Sequence, residues 1–342
     1  MSQPAASRAQ YLDLFKTLLV WGMIPAHVVQ LLGFRLGDGA ARFSDYINLV
    51  SFSGFMLAFG IGIGLSRGTR RTRLVDRIKP VLVMLACVYI SSLGFALLVD
   101  RKPLTPELLG DLLSFRILFG YSEFLASFFV LYVLIALARP LLVLIAEQPL
   151  VLAAAIVLCL ASTALTTDQM IPFAGTIIGH RRYASFPLLP YLPWFLVGIR
   201  LGRRDGVIPA LDFGLAVVAT AVFGWFYWRA FFTLPERFPP SVLWIVGPAL
   251  FLAIYLVAAR AVTDWVKVPA LLLAPGRHVL AALLLSNLAI FTTGGLWYKP
   301  AHPLWMAVAI ALAMLVLVTL WCAGIDRLAA LRVRGRTASQ RA

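Results

Sequence analysis

Charge is scarce in this sequence. Asp, Glu, Lys and Arg together make up 13% of its residues, about half their share in a soluble domain. Acids are scarcer still, 15 against 30 Lys and Arg. Cys87, Cys159 and Cys322 each lie in an apolar run with no CxxC partner, the setting of small core residues and not of a disulfide framework. No Gly-rich phosphate loop, HExxH helix or nucleophile elbow is present, and no metal site is expected. No polar stretch is long enough for an appended globular domain of ordinary size. These absences exclude a soluble enzyme, a secreted disulfide scaffold and a disordered chain.

What the chain has is apolar length. Of 342 residues 61% are hydrophobic, room for about ten spans of ~20 residues each. The apolar runs and their breaks predict spans at approximately 12–34, 46–66, 79–100, 121–138, 149–167, 186–202, 208–231, 241–262, 278–297 and 303–325. The expected fold class is therefore all-α: one membrane-embedded helical bundle over residues 1–342, with a basic tail at 327–342. The first run carries Lys16 and continues to Phe34, which fits a first transmembrane helix better than a cleaved signal peptide. The sixth is short and proline-rich, Phe186-Pro187-Leu188-Leu189-Pro190-Tyr191-Leu192-Pro193-Trp194, and is expected to enter irregularly.

The net charge of +15 would suggest nucleic acid in a soluble protein; in a membrane protein, orientation explains it first. With ten spans, 19 of the 30 cations fall on the side of both termini and 10 on the other, Lys16 lying inside the first span. That bias predicts N-in, C-in topology, with the lipid bilayer and no nucleic acid as surroundings.

The first span holds the most informative polar residues. Its opening reads Tyr11-Leu12-Asp13-Leu14-Phe15-Lys16, and His27 follows eleven residues after Lys16. Eleven steps of ~100° return to within about 20° of the start, so both share a face, roughly 16 Å apart along the axis. Asp13, three residues before Lys16, is within reach of an ion pair. Pro25 removes a helix hydrogen bond just before His27, where the helix is expected to bend or to open to a cavity. Asp13 and Lys16 read equally well as a plain interfacial ion pair, and His27 as interhelical glue. Their shared stripe favours chemistry, because ionisable groups inside spans face bundle interiors or polar paths. Histidine is also the side chain best placed to act as a base near neutral pH.

These residues resemble the opening of the acyltransferase-3 superfamily of integral membrane O-acyltransferases, which begins Leu-Asp-x-x-Arg/Lys with a His further along the first span. In the second span Ser51-Phe52-Ser53-Gly54-Phe55 is similar to the family's Phe-x-x-Ser-Gly-Phe segment, and Phe43-Ser44-Asp45 before it resembles the glucan-succinylating branch. The family's Arg-x-x-Arg is matched in two registers, Arg67/Arg70 and Arg70/Arg73, and Arg77-Ile78-x-Pro80 resembles the segment that closes it. The proline-rich entry to Trp194 and Gly198-x-x-x-Gly202-Arg203 are similar to its later spans. Two positions depart: Thr17 stands where the family has Gly, and Leu283-Leu284-Leu285-Ser286 replaces its late Tyr-Leu-x-His.

The resemblance implies transfer of an acyl group, acetyl first and succinyl second, from cytoplasmic acyl-CoA to a hydroxyl of a cell-envelope glycan or glycolipid. It implies a multi-pass protein of a bacterial inner membrane, with acyl-CoA as donor substrate and no permanently bound cofactor. His27 is then the expected base, with Lys16 and Asp13 positioning the helix or polarising the donor. Arg67, Arg70, Arg73 and Arg77 are expected to hold the donor's phosphates, because guanidinium forks suit phosphate oxygens. The same cluster also reads as a topological signal attracted to anionic lipid. Ser53, Glu123, Arg181 and Arg182 are candidates for contact with the acceptor, although Glu123 also reads as a solvated interfacial acid and His180-Arg181-Arg182-Tyr183 as a solvated loop. His278 and His302 are expected to be solvated. A transporter or flippase for a glycan or lipid-linked intermediate is the competing reading, with Asp13, Lys16 and His27 lining its path. A silent relative that binds lipid or protein is the third.

Overall fold

A computed structural model describes residues 7–32, 37–66, 74–169, 171–296 and 303–339. Its helices are α1 (Ser7–Leu32), α2 (Asp38–Leu65), α3 (Leu74–Leu98), α4 (Pro106–Leu113), α5 (Ser122–Glu147), α6 (Pro149–Ala161) and α7 (Ala174–Ile177). After these come α8 (Leu188–Arg203), α9 (Ala210–Arg229), α10 (Val242–Val246), α11 (Ala249–Trp265), α12 (Ala270–Arg277), α13 (Val279–Leu296) and α14 (Leu304–Ser339). Among the described residues no strand forms, only two isolated bridges. Among the described residues, eight helical segments are long and apolar enough to cross a membrane, the build of a multi-pass membrane protein.

The expected spans at 149–167 and 186–202 fall on α6 and α8, which have 13 and 16 residues. At 1.5 Å per residue they reach only about 20 and 24 Å, short of a ~30 Å hydrocarbon core. The expected span end at 138 is a kink: Ala138 leaves helical geometry (φ −126°, ψ 18°) and α5 continues to Glu147. Pro140 explains it, since its ring displaces the carbonyl four residues back and its nitrogen donates nothing.

The chain divides into two compact units, Met1–Asn48 with Tyr255–Ala342, and Leu49–Ile254. In the first, α1 packs against α12, α13 and α14, with α12 and α13 also against α14. α1 is enclosed on opposite sides: Phe15 and Ala26 on one side and Val20, Ile24 and Val28 on the other are all fully buried. The helix runs on through Pro25. Pro25 and Val29 instead line a cavity of about 520 Å³, walled by Gly39, Ala40 and Phe43 of α2 and by Ala307 and Ala311 of α14. His27, two residues past Pro25, is rotated ~200° from it, away from this cavity.

In the second unit α5 and α8 are central, packing on each other and on α6, with α3 also on α5. α2 crosses α8 through paired glycines, Gly60 and Gly64 against Gly198 and Gly202. The break between α10 and α11 at Gly247-Pro248 is stitched by one hydroxyl. Thr220 Oγ1 donates to the Gly247 carbonyl at 2.8 Å and accepts from the Leu250 amide at 2.9 Å. Backbone groups freed at a helix break inside a membrane protein need such partners.

Candidate functional site

The first unit carries Asp13, Lys16 and His27 on α1. Asp13 and Lys16 form an ion pair at 2.9 Å, with side chains 15% and 21% exposed. In water an i,i+3 pair contributes roughly 0.2–0.5 kcal/mol. This far out of water the larger effect is the cost of stranding either charge, about 3–5 kcal/mol at full burial. His27 lies further along the same unbroken helix, 7% exposed. Asp13, Lys16 and His27 therefore occupy one stripe, with the pair at one end and the imidazole buried toward the other.

The departure at Thr17 has a structural use. Gly276, near the end of α12, lies directly on α1: a Cβ there would meet the Asp13 carbonyl oxygen at 1.8 Å. At that contact the Gly276 amide donates to Thr17 Oγ1 at 2.9 Å, and Thr17 is fully buried. The threonine hydroxyl thus anchors α12 to the turn of α1 that holds Asp13 and Lys16. Thr17→Val leaves that amide without a partner and should lower stability by about 1–3 kcal/mol. Thr17→Ser should keep most of it. Thermal unfolding in detergent checks the pair; equal melting temperatures for Thr17→Val and wild type would remove the anchor.

His278 is not the solvated edge residue expected from sequence. It caps the break between α12 and α13, and its Nε2 lies 2.7 Å from Asp326 Oδ1 of α14. The other oxygen of Asp326 accepts from Arg277 Nη2, also at 2.7 Å. One carboxylate so holds two adjacent residues at a helix break, and the acid in turn finds its charge balanced. Sequence reading passed over Asp326 because it falls one residue beyond the apolar run at 303–325. The signal available was an acid at the end of an otherwise apolar helix.

The donor-side arginines divide. Arg77 is exposed in the first turn of α3. Arg67, Arg70 and Arg73 lie outside the described residues, as does His302.

In the second unit the acceptor candidates fare differently from one another. Ser53 is 1% exposed and its hydroxyl has no hydrogen-bond partner among the described residues. Arg181 is exposed, paired with Asp168 at 3.5 Å and donating to Thr166 Oγ1 at 2.8 Å. Arg182 is exposed as well. Between them and the core the loop is ordered and not merely solvated. His180 is fully buried, stacks on Tyr183 at 3.8 Å between ring centroids, and accepts the Arg182 amide at Nδ1. Burial lowers the pKa of His180 below the usual imidazole value.

Glu123 is buried, not solvated. It opens α5 at 9% exposure, and its Oε2 has no hydrogen-bond partner among the described residues. Arg237, from the segment between α9 and α10, acts electrostatically on Glu123, Tyr121 and Tyr191. Its guanidinium lies 5.3 Å from the ring centre of Phe186 and 4.6 Å from that of Phe238. Arg237 has no part in the motifs read from sequence, and Tyr191 enters there only within the proline-rich run. Nothing in their spacing links them to Glu123, since the three lie on α5, α8 and a loop.

No protein-family model matches the chain, and no curated protein matches it.

Proposed function

We propose that this chain is an integral membrane O-acyltransferase, N-in and C-in, in a bacterial inner membrane. It moves an acyl group, acetyl first, from acyl-CoA on the cytoplasmic side to a hydroxyl of a cell-envelope glycan. The observation that carries this reading is α1 itself: a paired cation near one end and a buried imidazole some three turns on, along one stripe of an unbroken apolar helix. His27 takes the proton of the acceptor hydroxyl as its oxygen attacks the thioester carbonyl. The carbon–sulfur bond then breaks and the thiolate of coenzyme A leaves, to be protonated. Lys16, held by Asp13, attracts the anionic donor, and the arginines at 67–77 hold its phosphates.

The break at His278 favours a second reading, because transporters build their sites at discontinuous helices. One experiment separates the two. Purified protein in vesicles, given acetyl-CoA and envelope glycan, should release one thiol for each ester formed on the glycan. Movement of glycan across the membrane without thiol release would replace the transferase with the transporter.

A further inference from the structure

The second unit contains a polar cluster that its packing leaves unfinished. Among the described residues, one carboxylate oxygen of Glu123 is buried without a hydrogen bond, which leaves its desolvation uncompensated. Natural cores rarely keep such a group without a reason. Phe186 joins the groups around it: its ring lies 6.1 Å from that of Phe124, next to Glu123, 6.2 Å from that of Tyr191, and 5.3 Å from the Arg237 guanidinium. The surroundings are aromatic. Phe52 lies 4.5 Å from both Phe186 and Tyr191 between ring centres, and Phe186 lies 5.2 Å from Phe238. Burial is graded: Glu123 and Tyr191 are buried, whereas Arg237 and Phe238 are half-buried.

The chemistry of this cluster discriminates among ligands. An anion would face the Glu123 carboxylate, and a cation would face the Arg237 guanidinium. A purely apolar group would leave the carboxylate oxygen unsatisfied. A hydroxyl group satisfies all of them, because it donates to Glu123 and accepts from Arg237 or a phenol. Adjacent hydroxyls on one ring can do both at once, while the C–H face of that ring packs on phenylalanine. A few polar groups converging among aromatic side chains are the usual makeup of a small-molecule site.

We propose that Glu123, Arg237 and Tyr191, walled by Phe52, Phe186 and Phe238, form a subsite for the hydroxyls of an uncharged pyranose ring. The inference rests on the acyltransferase reading only in making that sugar the acceptor. A site built around paired hydroxyl contacts excludes uronic acids, whose carboxylate would meet Glu123, and disfavours deoxy sugars, which leave its groups unpaired.

The test uses full-length protein in a detergent without a sugar headgroup. Methyl glucoside, methyl galactoside and methyl mannoside are compared with methyl glucuronide by saturation-transfer NMR. At least one neutral glycoside should bind tenfold or more tightly than the glucuronide. Glu123→Gln and Arg237→Gln should each weaken it by tenfold or more at an unchanged melting temperature. Should Glu123→Gln not fold, Tyr191→Phe keeps the ring, removes only the hydroxyl, and should weaken binding several-fold. Equal binding of the glucuronide, no binding of any neutral glycoside, or wild-type affinity in the folded variants overturns the subsite. Thiol release from acetyl-CoA in the same preparation separates the two readings. Sugar binding without acetyl-CoA turnover removes the transferase and leaves the subsite. Glycan acylation at wild-type rate by Glu123→Gln removes the subsite and leaves the transferase.

Discussion

His27→Asn should yield a folded, membrane-inserted protein that binds acyl-CoA and transfers acyl groups roughly 10²–10⁴-fold more slowly than wild type, the usual loss when a general base is removed. Asparagine keeps a polar, hydrogen-bonding side chain in the same buried place but has no nitrogen of useful basicity. A residue serving only as interhelical glue behaves otherwise. Its loss costs around 0.6–2 kcal/mol of stability and leaves the chemistry of the folded fraction intact. The two roles therefore separate into a rate effect at constant melting temperature and a melting effect at constant rate. Lys16 supplies an internal comparison. Lys16→Arg keeps the charge opposite Asp13 and should retain substantial activity. Lys16→Ala strands a carboxylate that is only 15% exposed and should lose both stability and turnover. Near-wild-type transfer by His27→Asn would remove His27 from catalysis, and the acyltransferase reading would lose its main support.

What could be read from sequence followed from periodicity and composition. The stripe on α1 was legible because an α-helix repeats its directions every eleven residues whatever surrounds it, and the Asp13–Lys16 pair needed only i,i+3 spacing. Apolar runs located the spanning helices for the same reason, since a ~30 Å core imposes its length locally. The run at 186–202 marked α8, yet its 16 residues reflect tertiary packing that hydropathy does not report. The contacts that organise the sites join distant residues and left no local trace. Thr17 meets Gly276 across 259 positions, and Asp326 meets His278 across 48. Glu123 read as interfacial because it stands at the edge of an apolar run; its burial comes from α8 and the segment carrying Arg237. Where a polar residue's partner is remote, a single sequence shows the residue and not the partner.

The crossing of α2 and α8 shows how a short motif acquires meaning only from its partner. Gly198-x-x-x-Gly202 places two side-chain-free positions one turn apart on α8, and Gly60-x-x-x-Gly64 does the same on α2. The structure sets the two motifs against each other. A Cβ on Gly60 would meet the Phe195 carbonyl oxygen at 2.1 Å, and one on Gly198 would meet that of Leu57 at 2.3 Å. Gly64 and Gly202 are equally closed, against the carbonyl oxygens of Ile199 and Ile61 at 2.3 Å. These neighbours are backbone, so no rotamer change can clear the space; the helices must part. Small residues at such crossings let helix backbones approach where lipid offers no hydrophobic drive to association. Alanine at any of the four positions should destabilise the protein by about 1–3 kcal/mol or more, the scale of overpacking a closed core. The double variant Gly60→Ala with Gly198→Ala should cost clearly less than the two singles together, because the first methyl group has already separated the helices for the second. Gly214 and Gly224, in α9 with nothing within 4 Å of a built Cβ, are the controls. Alanine there relieves the helix of a glycine and should be neutral or stabilising by up to ~1 kcal/mol. Thermal or denaturant unfolding in one detergent compares all six singles and the double. If the crossing alanines melt with the α9 pair, the close approach of α2 and α8 contributes nothing to stability.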